Sequence, residues 1–294
     1  MKKTIASIFI LLFIFCLFGC TLSDAHTDIL TTTQPLNYFT SRLCTDTGLT
    51  VECLISENIS CLHDYTLQPQ QMKAIESAKL VIISGAGLEE SFEDMLEPAQ
   101  NSTDASAGIA LLCSENSHEH EAADHNHHHE YDPHIWLSPR NAQIMCQNIY
   151  NKLCKAYPQH EALFSKNLSA LTFDFEELIA YGETQLSGLS SRELVTFHDG
   201  FAYLADSFDL TILRAIEEES GREASAAELI HLCHLIEEHN LPCIFTEYSG
   251  SVSAAKIISS EIGIDIYQLD MAMSTNNYFK AMYHNINTIK EALG

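Results

Sequence analysis

Residues 193–200 read ELVTFHDG, a short run built around Leu194, Val195 and Phe197 that ends in a histidine, an aspartate and a glycine. A run of that length, closed by a turn signal, predicts a strand buried on both faces, as in a parallel sheet. Outward from it, 201–208 has helical spacing, 210–216 returns to a strand pattern, and 225–238 reads as a helix. Ser225 opens that helix with Glu228 three residues on, the arrangement of a capping box. A strand at 243–246 (CIFT) follows, then a helix at 252–261 and a strand at 264–269 (IDIYQL) ending at Asp270. A terminal helix at 276–290 closes the chain. Strands alternating with helices predict a mostly parallel sheet covered by helices. Loops leaving the C-terminal ends of such strands share one edge, where ligands bind. His198 and Asp270 occupy that edge.

The first half repeats the alternation. Strands are expected at 28–33, 49–55, 80–84 (LVIIS) and 108–113, with helices at 36–44, at 69–78 opened by Pro69, and at 88–96. The turn Gly85-Ala86-Gly87 lacks the lysine and the spacing of a phosphate-binding loop. Residues 117–130 (SHEHEAADHNHHHE) hold six histidines, four acids and no large apolar residue. They cannot build a core and read as a loop. Order returns at 132–139 (DPHIWLSP), where a helix begins that Pro158 interrupts. From 159 to 186, Leu163, Leu168, Leu171, Phe175, Leu178 and Ile179 recur at helical spacing. One helix of that length spans about 40 Å, enough to brace two lobes. The expected fold is α/β: two Rossmann-like lobes with parallel sheets, joined by a long rigid helix, with the ligand in the cleft between them. Residues 21–158 form the first lobe with its 117–130 loop, 159–187 the linking helix, and 188–294 the second lobe.

Residues 1–20 are a separate object. Lys2 and Lys3 precede an almost wholly apolar stretch at 5–18, and Gly19-Cys20 follows. The stretch is short of the roughly 20 residues of a membrane span and reads as a signal peptide. Its end, LFGC at 17–20, resembles a bacterial lipobox, in which the cysteine is lipidated and becomes the mature N-terminus. The remainder is then held by Cys20 outside the cytoplasm, on the membrane's outer face or in a periplasm. Forty acidic residues against fifteen Lys plus Arg give a formal charge of -25, which repels nucleic acid and anionic lipid and attracts cations. Beyond Cys16 and Cys20 eight cysteines remain, an even number that predicts disulfides in an exported chain. Cys146 and Cys154 cannot pair with each other, because eight residues of one helix separate them by about 12 Å.

Four residues are candidate metal donors: His63, His134, His198 and Asp270. His198 and Asp270 directly follow expected strands, and His63 and His134 sit in loops. Imidazole nitrogens with one carboxylate suit four-coordinate zinc, whereas a site made wholly of oxygen suits calcium or magnesium.

These residues also carry a resemblance. HDYTLQP at 63–69, DPHIWLSP at 132–139, FHDGFAY at 197–203 and Asp270 after the last strand are similar to the ligand motifs of the zinc- and manganese-binding lipoproteins that serve ABC importers, and SAKLVIISGAGLEESFEDML at 77–96 resembles the strand, glycine turn and helix that follow the first of them. The similarity runs over nearly the whole chain after residue 20. It departs at Cys61-Leu62, where Asp-Pro or Gly-Ala is usual, at 248–250 (YSG in place of Pro-Gln-Phe), and at Met271-Ala272 in place of Pro-Leu. The resemblance implies one metal held by His63 and His134 from the first lobe and His198 and Asp270 from the second. Manganese-type members tend to carry glutamate at the third position, so His198 points to zinc, and so does a histidine tract. Zn2+ is then cargo, passed to the importer's membrane permease by a monomeric carrier. His118, His120, His125, His127, His128 and His129 would collect cations near His134. Trp136 and Tyr65 are read as packing that positions His134 and His63.

Other readings separate on single features. A manganese carrier shares the fold and differs in donors, and a surface adhesin would not need the intact ligand set. A metallohydrolase needs an open coordination position and a general base, and neither Glu247 nor Asp199 lies in an H-E-x-x-H pattern. No catalytic role is assigned. A second site at His231, Cys233 and His234 on one helix carries no motif.

Overall fold

The computed structural model describes residues 27–56, 62, 65–96, 101–113, 131–217, 225–248, 250–273 and 277–294. The 1–20 segment with Cys20, the candidate ligand His63, and His118, His120, His125, His127, His128 and His129 of the tract lie outside the described residues.

Two four-stranded parallel sheets form the framework. In the first, Ile29–Thr31 (β1) is buried and lies between Val51–Cys53 (β2) and Leu80–Ile83 (β3), with Ser102–Asp104 (β4) beyond β3. In the second, Glu193–His198 (β5) lies between Thr211–Glu217 (β6) and Cys243–Glu247 (β7), and Asp265–Leu269 (β8) forms the far edge. The orders β2-β1-β3-β4 and β6-β5-β7-β8 are the same pattern. Each sheet therefore has a switch point, at β1/β3 and at β5/β7, where crossovers leave in opposite directions and open a crevice.

Helices cover both sheets: Gln34–Leu43 (α1), Pro69–Ser77 (α2), Glu93–Leu96 (α3), Pro139–Ala156 (α4), Glu161–Gln185 (α5), Ala202–Ser207 (α6), Ala226–His239 (α7), Ser253–Ile262 (α8) and Tyr278–Leu293 (α9). Local chemistry sets their ends. The expected capping box forms at α7, where the Ser225 amide donates to Glu228 at 2.6 Å and the Glu228 amide to Ser225 Oγ at 3.3 Å. Ser138 caps α4 with Pro139 behind it, and Gly263 ends α8 in the left-handed region.

Helix α5 has 25 residues and is fastened to both halves. Arg42 of α1 pairs with Asp174 at 2.7 Å, and Asn167 Nδ2 donates to the Leu43 and Thr45 carbonyls. Toward the second sheet, Tyr181 Oη donates to Asn287 of α9 at 2.6 Å. Phe175 packs edge-on against Phe39 of α1 and Tyr278 of α9, with centroids 5.8 and 5.7 Å apart. Such contacts add about 1 kcal/mol each beyond area burial. One apolar core runs from β1 through α4 and α5 to α9, while a second lies between the outer sheet face, α7 and α8. The brace expected at 159–187 is thus a packed strut.

Three expectations change. The strand expected at 108–113 is not formed; the fourth position of the first sheet is taken by Ser102–Asp104, beside Val81–Ile83. That polar, mostly exposed edge strand carries no apolar alternation to announce it. The helix expected at 88–96 is a 3-10 turn at Glu90–Phe92 followed by the short α3. The seven described cysteines (Cys44, Cys53, Cys113, Cys146, Cys154, Cys233 and Cys243) are free thiols, against the expectation of disulfides. Cys44, Cys146 and Cys243 are buried and act as small apolar packing residues.

Glu89 explains the interrupted helix. It turns inward at the β1/β3 switch point, accepting hydrogen bonds from Thr32 Oγ1, the Ser84 amide at 2.7 Å and the Gly85 amide at 3.0 Å. Gly85 has φ +80, and a Cβ there would meet Asp104 Oδ1 at 1.9 Å, so the turn admits only glycine. Burial pushes the Glu89 carboxyl up to about 7, against the pull of its three donors. A carboxyl raised in the folded state takes up a proton on folding between its two pKa values. Its contribution is therefore full below pH 4.5 and is lost as pH rises through about 7. The difference amounts to about 3 kcal/mol. Urea unfolding with a chelator present should show wild type losing that much more stability than Glu89→Gln between pH 5 and pH 8. Equal losses in the two proteins would refute it.

Candidate metal centre

His134 is placed by a chain of buried contacts. Asp132 Oδ1 accepts from the His134 amide and lies 2.8 Å from His134 Nδ1. The contact fixes the tautomer with the proton on Nδ1 and leaves the Nε2 lone pair for a cation. Tyr203 of α6 donates to the Asp132 carbonyl at 3.0 Å and accepts from the Leu112 amide at 3.0 Å, tying the loop from both sides. Trp136 is buried beside the imidazole, with ring centroids 5.4 Å apart. Its Nε1 donates to the Met271 carbonyl at 2.8 Å, while the Trp136 carbonyl accepts from Tyr278. The His134 loop is therefore joined to the second half of the chain through Trp136.

His198 ends β5 at the β5/β7 switch point and is buried. Its Nε2 lies 3.4 Å from His134 Nε2, with the rings nearly perpendicular at 84°. That separation is longer than the usual N–H···N contact of about 3 Å. It matches an edge of a zinc tetrahedron, since Zn–N bonds of 2.0–2.1 Å put two ligand nitrogens about 3.4 Å apart. A cation seated between the two rings would take one bond from each Nε2.

Asp270 follows β8 and is also buried. Asn285 of α9 brackets its backbone: the Asp270 amide donates to Asn285 Oδ1 at 2.7 Å, and Asn285 Nδ2 donates to the Asp270 carbonyl at 2.8 Å. Asp270 Oδ1 accepts from the Ala272 amide at 2.8 Å, closing a turn in which Ala272 has φ +58. The Met271-Ala272 departure thus leaves Asp270 anchored by α9 and by its own turn. Burial pushes the Asp270 carboxyl up; the Ala272 amide and the charges of His284 and Lys280 oppose it. Among the described residues no three His, Cys, Asp or Glu side chains gather around one point. The structure brings His134 and His198 together and leaves Asp270 outside that pair. It also forms no ligand group at His231, Cys233 and His234 on α7.

The flanks of His63 are held: Leu62 is fully buried, and Ser91 Oγ donates to the Leu62 and Tyr65 carbonyls at 3.2 and 3.4 Å. Cys113 and Tyr131 form an isolated antiparallel bridge, and the Asp132 amide donates to the Leu112 carbonyl at 2.9 Å. The described residues on either side of the tract are thus paired with each other, three residues from His134.

Two residues beyond the expected donors matter. Asp132 orients His134, and its signal was an acid two residues before a candidate ligand. Asn285 holds Asp270 from fifteen residues away and had no local signal. Asp132→Asn should lower zinc affinity by roughly 10- to 100-fold, the usual effect of removing a carboxylate behind a ligating imidazole. Competition with a chromogenic chelator would measure it, and unchanged affinity would mean that His134 needs no orienting partner.

Comparison with known proteins gives the family of the chain. A Treponema pallidum (strain Nichols) protein named for metal binding is 32% identical over 240 residues, which are 78% of this chain and 76% of that protein. The zinc-binding lipoprotein AdcA of Streptococcus pneumoniae serotype 4 is 28% identical over 286 residues, covering 92% of this chain and 56% of AdcA. This chain thus spans a little over half of that relative. A crystal structure of ZnuA superposes with a TM-score of 0.80 at 28% identity, over 90% of this chain and 98% of that one. The profile of the zinc-uptake complex component A periplasmic family matches residues 29–292. With both parallel sheets, the α5 strut and the His134–His198 pair inside that match, this chain belongs to the ZnuA family.

Proposed function

We propose that this chain captures zinc outside the cytoplasm and delivers it to the membrane permease of an ABC importer. The observation that carries the reading is the pair of buried imidazole nitrogens 3.4 Å apart, a spacing suited to one tetrahedral cation. In this reading His63, His134, His198 and Asp270 hold the ion, and Asp270 swings in from its turn when zinc arrives. Nitrogen donors favour zinc over manganese. The ion is cargo, so the site binds and releases rather than turns over.

Family membership supports the compartment. We assign the anchor to Cys20, released from the 1–19 signal peptide and lipidated, a reading favoured by the lipoprotein name of the AdcA relative. The chain acts as a monomer, its first lobe spanning 21–158 and its second 188–294. Because α5 is bonded and packed to both halves, zinc binding rearranges loops rather than hinging the lobes widely. Release then requires the permease to disturb those loops.

The tract is assigned a collecting role. His118, His120, His125, His127, His128 and His129 lie in the sequence between Cys113 and Tyr131, which pair three residues from His134, so an ion collected by the tract is handed on to a near neighbour in the chain. The adjacent acids raise the local cation concentration. Zinc titration against a chelator, with elemental analysis, tests both parts of the proposal. Wild type should hold one tight zinc per chain. Deleting 117–130 should keep that ion, remove weaker additional binding and slow uptake at scarce zinc. Tight binding that disappears with the tract would overturn the reading.

A further inference from the structure

The far end of the first sheet carries a basic pocket that zinc capture does not use. Lys79 and Leu80 at the start of β3, Asn101 just before β4, and Lys152, Lys155, Ala156 and Tyr157 at the end of α4 line a cavity of about 350 Å³. Three of the fifteen Lys and Arg residues of a chain with net charge -25 converge there. Among the described residues, Asp28 Oδ1 pairs with Lys79 Nζ at 2.6 Å. Lys152 Nζ also reaches the Ser102 carbonyl at 3.3 Å. Lys155, in the last turn of α4, complements the helix dipole, which accounts for one lysine but not for three around one cavity.

Position gives the pocket a partner. Because α4 begins beside His134 and ends at Lys155, the pocket lies about 25 Å from the metal centre, at the opposite pole. The chain enters the fold at this pole: the Lys79 amide donates to the Thr27 carbonyl, and Tyr157 Oη donates to the Asp28 carbonyl at 3.0 Å. Only six residues, 21–26, separate Thr27 from Cys20. Fully extended they reach about 20–25 Å, so an anchored Cys20 holds this pole near the lipid surface.

We propose that the Lys79–Lys152–Lys155 pocket docks on the phosphate headgroups of anionic phospholipid, holding the metal centre away from the bilayer in a collecting orientation. This rests on the Cys20 anchor proposed above. Lysines within a Debye length of an anionic leaflet gain attraction that salt weakens.

Amine acylation of the full lipidated chain in proteoliposomes, read by mass spectrometry, tests it. Co-flotation with phosphatidylcholine vesicles first checks the anchor by itself. The unlipidated Cys20→Ala chain, added to the same vesicles, gives a footprint that does not depend on the anchor. In phosphatidylglycerol-containing vesicles, Lys79, Lys152 and Lys155 should label severalfold less than in phosphatidylcholine vesicles, while Lys256 and Lys290 do not change. Half-molar salt should remove the protection, and so should Lys152→Gln with Lys155→Gln, read at Lys79. Equal labelling in the two lipids would overturn the proposal. So would equal protection by millimolar inorganic phosphate, which would make this a site for the free anion.

Discussion

His134→Ala is expected to lower zinc affinity by at least a hundredfold while leaving the fold standing. A carboxylate behind a metal-binding imidazole is worth about 10- to 100-fold, so removing the imidazole removes more. Here the loss is compounded, because His134 supplies one of the two nitrogens already set 3.4 Å apart and is oriented by Asp132. The readout is thermal unfolding with and without zinc. A ligand at a thousand times its Kd stabilises by about 4 kcal/mol. In a chain of this size that corresponds to a rise in Tm of roughly 10 °C. Wild type should show that rise and His134→Ala should lose most of it, with the zinc-free melting points within a few degrees of each other. His198→Ala should behave alike. If His134→Ala kept the full rise, and deletion of 117–130 removed it, the tract rather than the paired imidazoles would be the tight site.

Much of the frame was legible because burial writes itself into short apolar runs. ELVTF at 193–197 and LVII at 80–83 announce central strands, and both are central. The capping box at Ser225 and Glu228 formed as expected, because the chemistry of a helix start is local. The polar edge strand Ser102–Asp104 was not legible: two exposed residues flanking the half-buried Thr103 pair through backbone atoms with Val81–Ile83, and nothing in their side chains requires it. Nor was the inward turn of Glu89. An acid in a helix-compatible stretch reads as a solvated face until the amides of Ser84 and Gly85 are seen to converge on it.

The candidate centre divides along the same line. His134 and His198 were legible as loop and strand-end residues, and their meeting follows from the strut that fixes one half of the chain against the other. What the sequence withheld was the support. Asn285 on α9 brackets Asp270, and Trp136 reaches the Met271 carbonyl across 135 residues of chain. Contacts that distant have no periodicity to betray them. They also answer the departure at Met271-Ala272: the usual proline is absent, and a side chain from another helix restrains the turn instead.

Gly200→Ala tests whether the imidazole pair is held as rigidly as these contacts imply. A Cβ on residue 200 would lie 2.7 Å from His198 Cδ2, 2.8 Å from Met271 Cε and 2.9 Å from His134 Nδ1. Gly200 is not among the glycines with positive φ, so alanine meets no backbone strain and the whole effect is steric. Of its three neighbours only the Met271 methyl is free to swing aside. The His134 ring is pinned by Asp132 and the His198 ring is carried by a central strand. One imidazole must then move by several tenths of an ångström, spoiling the spacing on which a tetrahedral ion depends. Overpacking of this kind destabilises by about 1–3 kcal/mol, small enough for the protein to fold. Zinc affinity should fall by roughly 10- to 100-fold, as for loss of a direct supporting contact. Adding Met271→Ala relieves one contact and leaves both ring contacts, so affinity should stay low in the double variant. Recovery in the double variant would place the constraint in Met271 instead. Wild-type affinity in Gly200→Ala alone would mean that the loop after β5 yields freely, and that zinc itself, rather than the fold, brings His134 and His198 into register.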